Sequence, residues 1–255
     1  MTQLISERQG RVLTLTLNRP QARNALDNAQ LERLATALEQ ASGDESIGAV
    51  VITGAGRGFA AGADLKEMAS RDMVATLQDP RPGLWARIDG FPKPLLAAVN
   101  GYALGAGFEL ALLSDMVVAG ENARFGLPEI TLGIMPGAGG IQRLLRAVGK
   151  GLASRMVLSG EPIDAREAWR VGLVAQLCPP DLTLEYAQQL AQRIAERAPL
   201  ALQAAKQALR QGQEVGLSQG LSIERQLFTL LAATDDRQEG IRAFLEKRTP
   251  KFTGR

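Results

Sequence analysis

The chain has 255 residues, 45% hydrophobic and 22% charged, with 27 glycines and 12 prolines, a composition that excludes disordered and fibrous classes. It holds no histidine and one cysteine, Cys178, which excludes Ser-His-Asp and Cys-His catalysis, His-ligated or all-cysteine zinc, an internal disulfide and an iron–sulfur cluster. Lys+Arg 29 against Asp+Glu 27 leaves a net charge of +2 with no basic run, so nucleic acid is not an expected partner, and acid/base work falls to carboxylates, Lys or Tyr.

The first residues carry charges where a signal peptide needs an apolar stretch. The longest apolar region, 95–113, is broken by Asn100, Gly101, Gly105, Gly107 and Glu109. A soluble cytoplasmic protein with no membrane span is therefore expected. Residues 11–17 set Leu13, Leu15 and Leu17 against Thr14 and Thr16, the period of a half-buried strand, ended by Asn18-Arg19-Pro20. Residues 28–42 change to helical spacing, with Leu31, Leu34, Ala35, Leu38 and Ala41 on one stripe. Short apolar strands are predicted at 49–53, 95–99 and 115–119. Asp164 with Glu167 resembles an N-cap pair opening a helix to Val171, stopped at Gly172. This order predicts an α/β fold with parallel or mixed strands.

After Pro179-Pro180 only helical spacing remains, over 183–197, 199–211, 214–234 and 236–247. The expected organisation is a mixed body at 1–195 and a helical tail at 196–255. In the tail Leu221, Leu227, Phe228 and Leu231 are more apolar than a surface helix needs. Plain core packing accounts for most such stripes, and burial against another subunit is the alternative.

Three glycine clusters follow or flank apolar strands, at 54–58, 101–107 and 133–140. Phe59 and Leu110 stand where a dinucleotide fingerprint needs its third glycine, and Leu144 stands where a Walker A loop needs its first, so both readings fail. Residues 105–109 precede the apolar run 110–113 like a loop entering a helix, whose first amides lack partners and favour an anion or oxyanion. Residues 59–66 repeat the device, with Asp64 expected in a first helical turn to steady the amides. Two small-residue turns with free N–H groups would make an oxyanion hole.

Four ordered motifs carry a resemblance: Phe59 to Lys66, Lys93 to Leu110, Phe125-Gly126-Leu127-Pro128-Glu129-Ile130, and Pro136-Gly137-Ala138-Gly139-Gly140. They resemble the crotonase (enoyl-CoA hydratase/isomerase) superfamily, and the likeness runs from Asn18 to Arg248. It implies a crotonase-like spiral of β-β-α turns, an all-helical C-terminal trimerisation region, and a homo-oligomer, trimer or dimer of trimers. It implies an acyl-CoA substrate, with coenzyme A arriving as part of the substrate and no metal or other cofactor. Residues 111–140 and 199–210 point within the family to a hydratase of a dicarboxylic enoyl thioester in phenylacetate degradation. A complex with a crotonase-family isomerase of the same pathway is a further expectation.

Carried over position by position, the resemblance makes Glu109 and Glu129 the catalytic carboxylates and the amides of Ala63 and Ala106 the oxyanion hole. Ala61, Asp64, Leu65 and Lys66 would bind coenzyme A, and Lys247 would reach the coenzyme A of a neighbouring subunit. Arg71, Arg81 and Arg87, with Trp85 nearby, are candidates for meeting a terminal carboxylate of the acyl chain. Ala106 departs from the family's usual glycine, which requires a negative φ there, and Ile141 stands where threonine is common. Hydration needs a base for the water, an acid for Cα and a sink for enolate charge. The alternatives are an enoyl-CoA isomerase or another crotonase-fold acyl-CoA enzyme, and a non-catalytic scaffold; an isomerase can work with one carboxylate and an idle scaffold with none, so the retention of both favours hydration.

Overall fold

The computed structural model describes residues 2–69 and 71–255. A hairpin of β1 (Leu4–Gln9) and β2 (Val12–Leu17) opens the chain, paired antiparallel from Leu4↔Leu17 to Gln9↔Val12. β1 has no counterpart in the periodicity reading because only Leu4 of its residues is buried. Asp27 caps α1 (Asn28–Gly43), its Oδ1 accepting from the Gln30 amide at 2.7 Å. The predicted stripe, Leu31 through Ala41, is the face that α1 buries. Next come β3 (Ala49–Gly54), the short helices α2 (Leu65–Met68) and α3 (Met73–Leu77), and α4 (Arg81–Asp89), which packs on α1.

β4 (Leu95–Val99) and β5 (Tyr102–Leu104) lead into α5 (Ala106–Leu113), and β6 (Met116–Gly120) and β7 (Arg124–Gly126) lead through a 3-10 turn (Pro128–Leu132) into α6 (Gly140–Ser159), interrupted at Gly149. β8 (Ile163–Asp164) precedes α7 (Ala165–Arg170), which Asp164 caps by accepting from the Glu167 amide at 2.8 Å, as the sequence predicts. β9 (Gln176–Cys178) and α8 (Thr183–Ala195) follow, and α9 (Pro199–Gly212), α10 (Leu217–Leu231) and α11 (Asp235–Leu245) complete the chain.

A six-stranded sheet runs β1-β2-β3-β4-β6-β9, parallel after its first hairpin, and a three-stranded sheet runs β5-β7-β8. Each turn of the chain places one strand in the larger sheet, crosses to the smaller and returns by a helix, as β4-β5-α5 and β6-β7-α6 show. A third turn enters by β3 and touches the smaller sheet through the parallel bridge Ala60↔Ala103. These are the β-β-α turns that the resemblance implies. They stack the three helix-entering segments at the ends of successive strands, which is what brings distant motifs together.

Both faces of the large sheet are covered. Val50 and Ile52 join the core with Leu31, Leu34, Phe59, Phe108 and Phe125, while Val12, Ala49 and Val51 pack on Ala187, Ala191 and Ala195 of α8. The second layer corrects the half-buried reading of 11–17: Thr14 is buried, and Gln188 Nε2 donates to its hydroxyl at 3.0 Å. Phe108 and Phe125 are fully buried, 5.5 Å apart and tilted, and each contributes about 1.5–3 kcal/mol by burial.

The helices of the tail bury little. α9 and α10 have no fully buried residue, and Leu221 and Phe228 are 55% and 61% exposed. α9 is fixed to the body by Lys206, whose Nζ lies 2.8 Å from Asp115 Oδ2 and donates to the Lys93 carbonyl at 2.8 Å. Among the described residues no helix is long and apolar enough to cross a membrane.

Candidate active site

Gly105 stands immediately before α5 with φ 50° and ψ −128°, a conformation that side chains avoid. The positive φ is thus carried by Gly105, and Ala106 begins the helix at a negative φ, as its methyl group requires. As the first helical residue Ala106 has no intrahelical acceptor for its N–H, and among the described residues that amide makes no other hydrogen bond. Gly107 allows the second contact of this turn: a Cβ there would lie 2.2 Å from the Ala60 carbonyl oxygen. Only glycine lets the start of α5 rest on the 59–63 segment.

Ala63 sits in a parallel bridge opposite Leu26, whose N–H donates to Gly62 and whose carbonyl accepts from Asp64. In such a pairing the ladder bonds belong to Leu26, so the Ala63 N–H is directed elsewhere, and it has no acceptor among the described residues. Asp64 lies one position earlier than expected. It is the N-cap of α2, accepting from the Lys66 amide at 3.2 Å, and Arg19 Nη2 holds its other oxygen at 3.3 Å.

Glu109, one turn into α5, is 3% exposed. Its Oε1 accepts from the amides of Ala138 at 2.7 Å and Gly140 at 2.9 Å, the latter the first residue of α6. Burial pushes the Glu109 pKa above the ordinary carboxylate value, opposed by those two amides and by the nearby charges of Arg143 and Arg81. The α6 N-terminus further favours a carboxylate there.

Glu129 comes from the 3-10 turn and lies over Gly105, where a Cβ would come within 2.9 Å of its Oε1. Its Oε2 is buried with no hydrogen-bond partner among the described residues. Burial, with a smaller contribution from the Glu109 charge, raises its pKa to about 7, and its own amide acts in the other direction. Two carboxylates therefore flank the start of α5 in unlike surroundings, Glu109 accepting from two amides of the loop before α6 and Glu129 leaving its buried Oε2 without a donor among the described residues. That difference poises one as base and the other as acid.

The remaining candidates fall into three groups. Ala61 donates to the Arg23 carbonyl at 3.0 Å, Leu65 is half exposed, and Lys66 is exposed on α2. Lys247 lies just beyond α11, exposed and left-handed at φ 54°, on the tail rather than beside the carboxylates. The three arginines diverge. Arg71 binds Glu67 at 3.0 Å and Asp79, and Arg81 donates to the Leu26 carbonyl beside the Ala63 turn. Arg87 is held by Glu32 and Glu39 on α1 at 2.7 and 2.6 Å, so it packs α4 onto α1, as does buried Trp85. Among the described residues no three His, Cys, Asp or Glu side chains converge on a metal position.

Sequence reasoning assigned no role to the Ala138 and Gly140 amides. The signal was present in the Gly139-Gly140 pair at a helix start, but the partner carboxylate is about thirty residues away. It likewise passed over Asn24, left-handed at φ 55°, whose side-chain amide donates to the carbonyls of Ala55 and Gly58 at 2.9 Å and braces the turn before Phe59.

The model of the enoyl-CoA hydratase/isomerase family matches residues 7–255. The 2,3-dehydroadipyl-CoA hydratase of Escherichia coli K12 is 70% identical over 255 residues, all of both chains. A probable enoyl-CoA hydratase of Rhizobium meliloti is 46% identical over 99% of this chain and 98% of its own. The crystal structure of an enoyl-CoA hydratase from Bacillus anthracis superposes with a TM-score of 0.95 at 39% identity over the full length of both. One from Polaromonas sp. JS666 gives 0.93 at 36% identity, covering 98% of this chain and 99% of that one.

Proposed function

The chain belongs to the enoyl-CoA hydratase/isomerase family, and from that premise we propose that it adds water across the 2,3 double bond of 2,3-dehydroadipyl-CoA, the substrate for which its Escherichia coli relative is named, giving 3-hydroxyadipyl-CoA in phenylacetate catabolism. The observation that supports the reading is the pair of carboxylates in unlike surroundings, Glu109 buried and Glu129 half-buried, beside two unengaged amides. Glu109, whose carboxylate form the Ala138 and Gly140 amides favour against burial, takes a proton from water in its ionised state as the oxygen bonds to Cβ. The π electrons move onto the thioester oxygen, where the Ala63 and Ala106 amides stabilise the enolate. Glu129, carrying the proton its apolar setting favours, delivers it to Cα. The step leaves Glu109 protonated and Glu129 ionised, and exchange with solvent resets them.

The turn at 61–66 would hold coenzyme A, with Lys66 near its phosphates and Lys247 contributed by a neighbouring subunit. That arrangement requires assembly. The exposed Leu221 and Phe228 on α10, and Phe244 at 82% exposure on α11, supply the apolar face for a homo-oligomer. Replacing Leu227 and Phe228 by Asp is expected to yield smaller species by sedimentation velocity, because charge would be buried at an apolar contact. Wild type sedimenting as a monomer contradicts the assembly.

The substrate reading is tested by following loss of conjugated thioester absorbance over a panel of enoyl-CoA thioesters. 2,3-Dehydroadipyl-CoA is expected to give a higher kcat/KM than crotonyl-CoA. The reverse order removes the substrate and leaves the hydratase chemistry in place.

A further inference from the structure

A dicarboxylic enoyl chain brings a second negative charge close to the reacting carbons. From Cβ of a dehydroadipyl chain to its distal carboxyl carbon there are three carbon–carbon bonds, about 4 Å when extended. The distal carboxylate therefore arrives within a few ångströms of Glu109 and Glu129. An unpaired carboxylate buried there would be strongly disfavoured, so it must either reach water or meet a cation with a free donor at that distance.

Two arginines act on Glu109 through their charge, Arg143 and Arg81. Arg143 is engaged through both terminal nitrogens, donating to the Ala138 carbonyl at 2.8 Å and to Asp89 at 3.0 Å. Arg71 and Arg87 are likewise held by two carboxylates each. Arg81 differs. It is the first residue of α4, and its Nη2 donates to the Leu26 carbonyl, on the strand segment that bridges to Ala63. Its Nη1 is buried and makes no hydrogen bond among the described residues. The nearest carboxylate, Glu67 Oε2, lies 3.6 Å away, beyond hydrogen-bond reach.

Resting on the dehydroadipyl reading, we propose that Arg81 receives the distal carboxylate of the acyl chain through Nη1 and sets the preference for dicarboxylic over monocarboxylic enoyl thioesters. A buried guanidinium N–H without an acceptor costs roughly 1–3 kcal/mol, and a ligand carboxylate removes that cost while gaining a charge-assisted bond. Desolvation, which disfavours the lone guanidinium charge here, strengthens the pairing once an anion is present.

The experiment compares 2,3-dehydroadipyl-CoA with trans-2-hexenoyl-CoA, equal in length with a methyl in place of the carboxylate, for wild type, Arg81→Gln and Arg81→Lys. The wild-type kcat/KM ratio is expected to favour the dicarboxylic substrate. Arg81→Gln should narrow it by about 30-fold, mostly through KM, the scale of a charge-assisted hydrogen bond. Arg81→Lys should recover part of the loss. A ratio unchanged in Arg81→Gln, while wild type still prefers the dicarboxylic substrate, overturns the assignment and leaves the substrate reading standing. A wild type that prefers hexenoyl-CoA overturns both. Glu67→Gln, which removes the competing carboxylate without touching Arg81, provides an independent arm: the ratio should rise, and a fall or no change overturns the proposal.

Discussion

Glu129→Gln and Glu109→Gln are each expected to lower kcat for hydration at least ~100-fold while the fold and thioester binding persist. Glutamine keeps the size of each side chain but can neither deliver the proton to Cα nor accept one from water. In Glu109→Gln the amides of Ala138 and Gly140 still find a carbonyl oxygen, so the loop before α6 stays in place. Wild-type turnover in either variant removes that residue from the mechanism.

The same pair sets the pH profile. Burial raises Glu129 to about 7, so its proton is lost as pH rises through that value, and kcat/KM for hydration should fall on the alkaline side. Glu109, also raised by burial, should place the acid limb above the ordinary carboxylate range. Because the two carboxylates interact, both limbs belong to the pair, and dehydration should trace the same bell, since either direction draws on the singly protonated state. The linkage to stability runs the other way from an ion-paired acid. The folded pKa of Glu129 lies above its unfolded value, so its ionisation costs stability as pH rises from 4.5 towards 7. Glu129→Gln should therefore raise Tm at about pH 8, with the gain vanishing below about pH 4; an equal gain at both pH values contradicts the raised pKa.

Ala106→Pro should lower kcat by on the order of 100- to 1,000-fold, the cost of deleting one oxyanion donor. The substitution removes the N–H and little else. Position 106 is the first of α5, where proline is favoured and no intrahelical bond is lost. Circular dichroism should show an intact fold, and KM should change less than kcat because enolate charge develops after binding. A folded Ala106→Pro enzyme with normal turnover refutes the oxyanion assignment. The methyl of Ala106 itself needs no accommodation by strain, since Gly105 carries the unusual φ.

Local periodicity was sufficient wherever an element buries one face. The α1 stripe, the continuous apolar strands β3 and β4, and the Asp164 cap of α7 are all legible because each shows as a pattern of residue types within a short stretch of chain, whatever it packs against. The exposed β1 and the short β7 and β8 carry no such pattern; they are strands because a neighbour offers its edge. Thr14 shows the limit most plainly, polar by sequence and buried because α8, some 170 residues later, closes over it.

For the site, the absence of histidine and the ordered motifs singled out two carboxylates and two small-residue turns as the candidates for the proposed chemistry. How the surroundings of the two carboxylates differ is visible only in three dimensions. Glu109 meets the amides before α6 and Glu129 keeps a buried oxygen without a donor among the described residues, because the β-β-α turns bring segments from three strand ends to one place. The arginines divide for the same reason. Arg71, Arg81 and Arg87 look alike along the chain, yet the packing of α4 on α1 gives Arg87 two carboxylates and leaves Arg81 a buried donor without an acceptor, since electrostatic partnership depends on distance across the fold and not along the sequence.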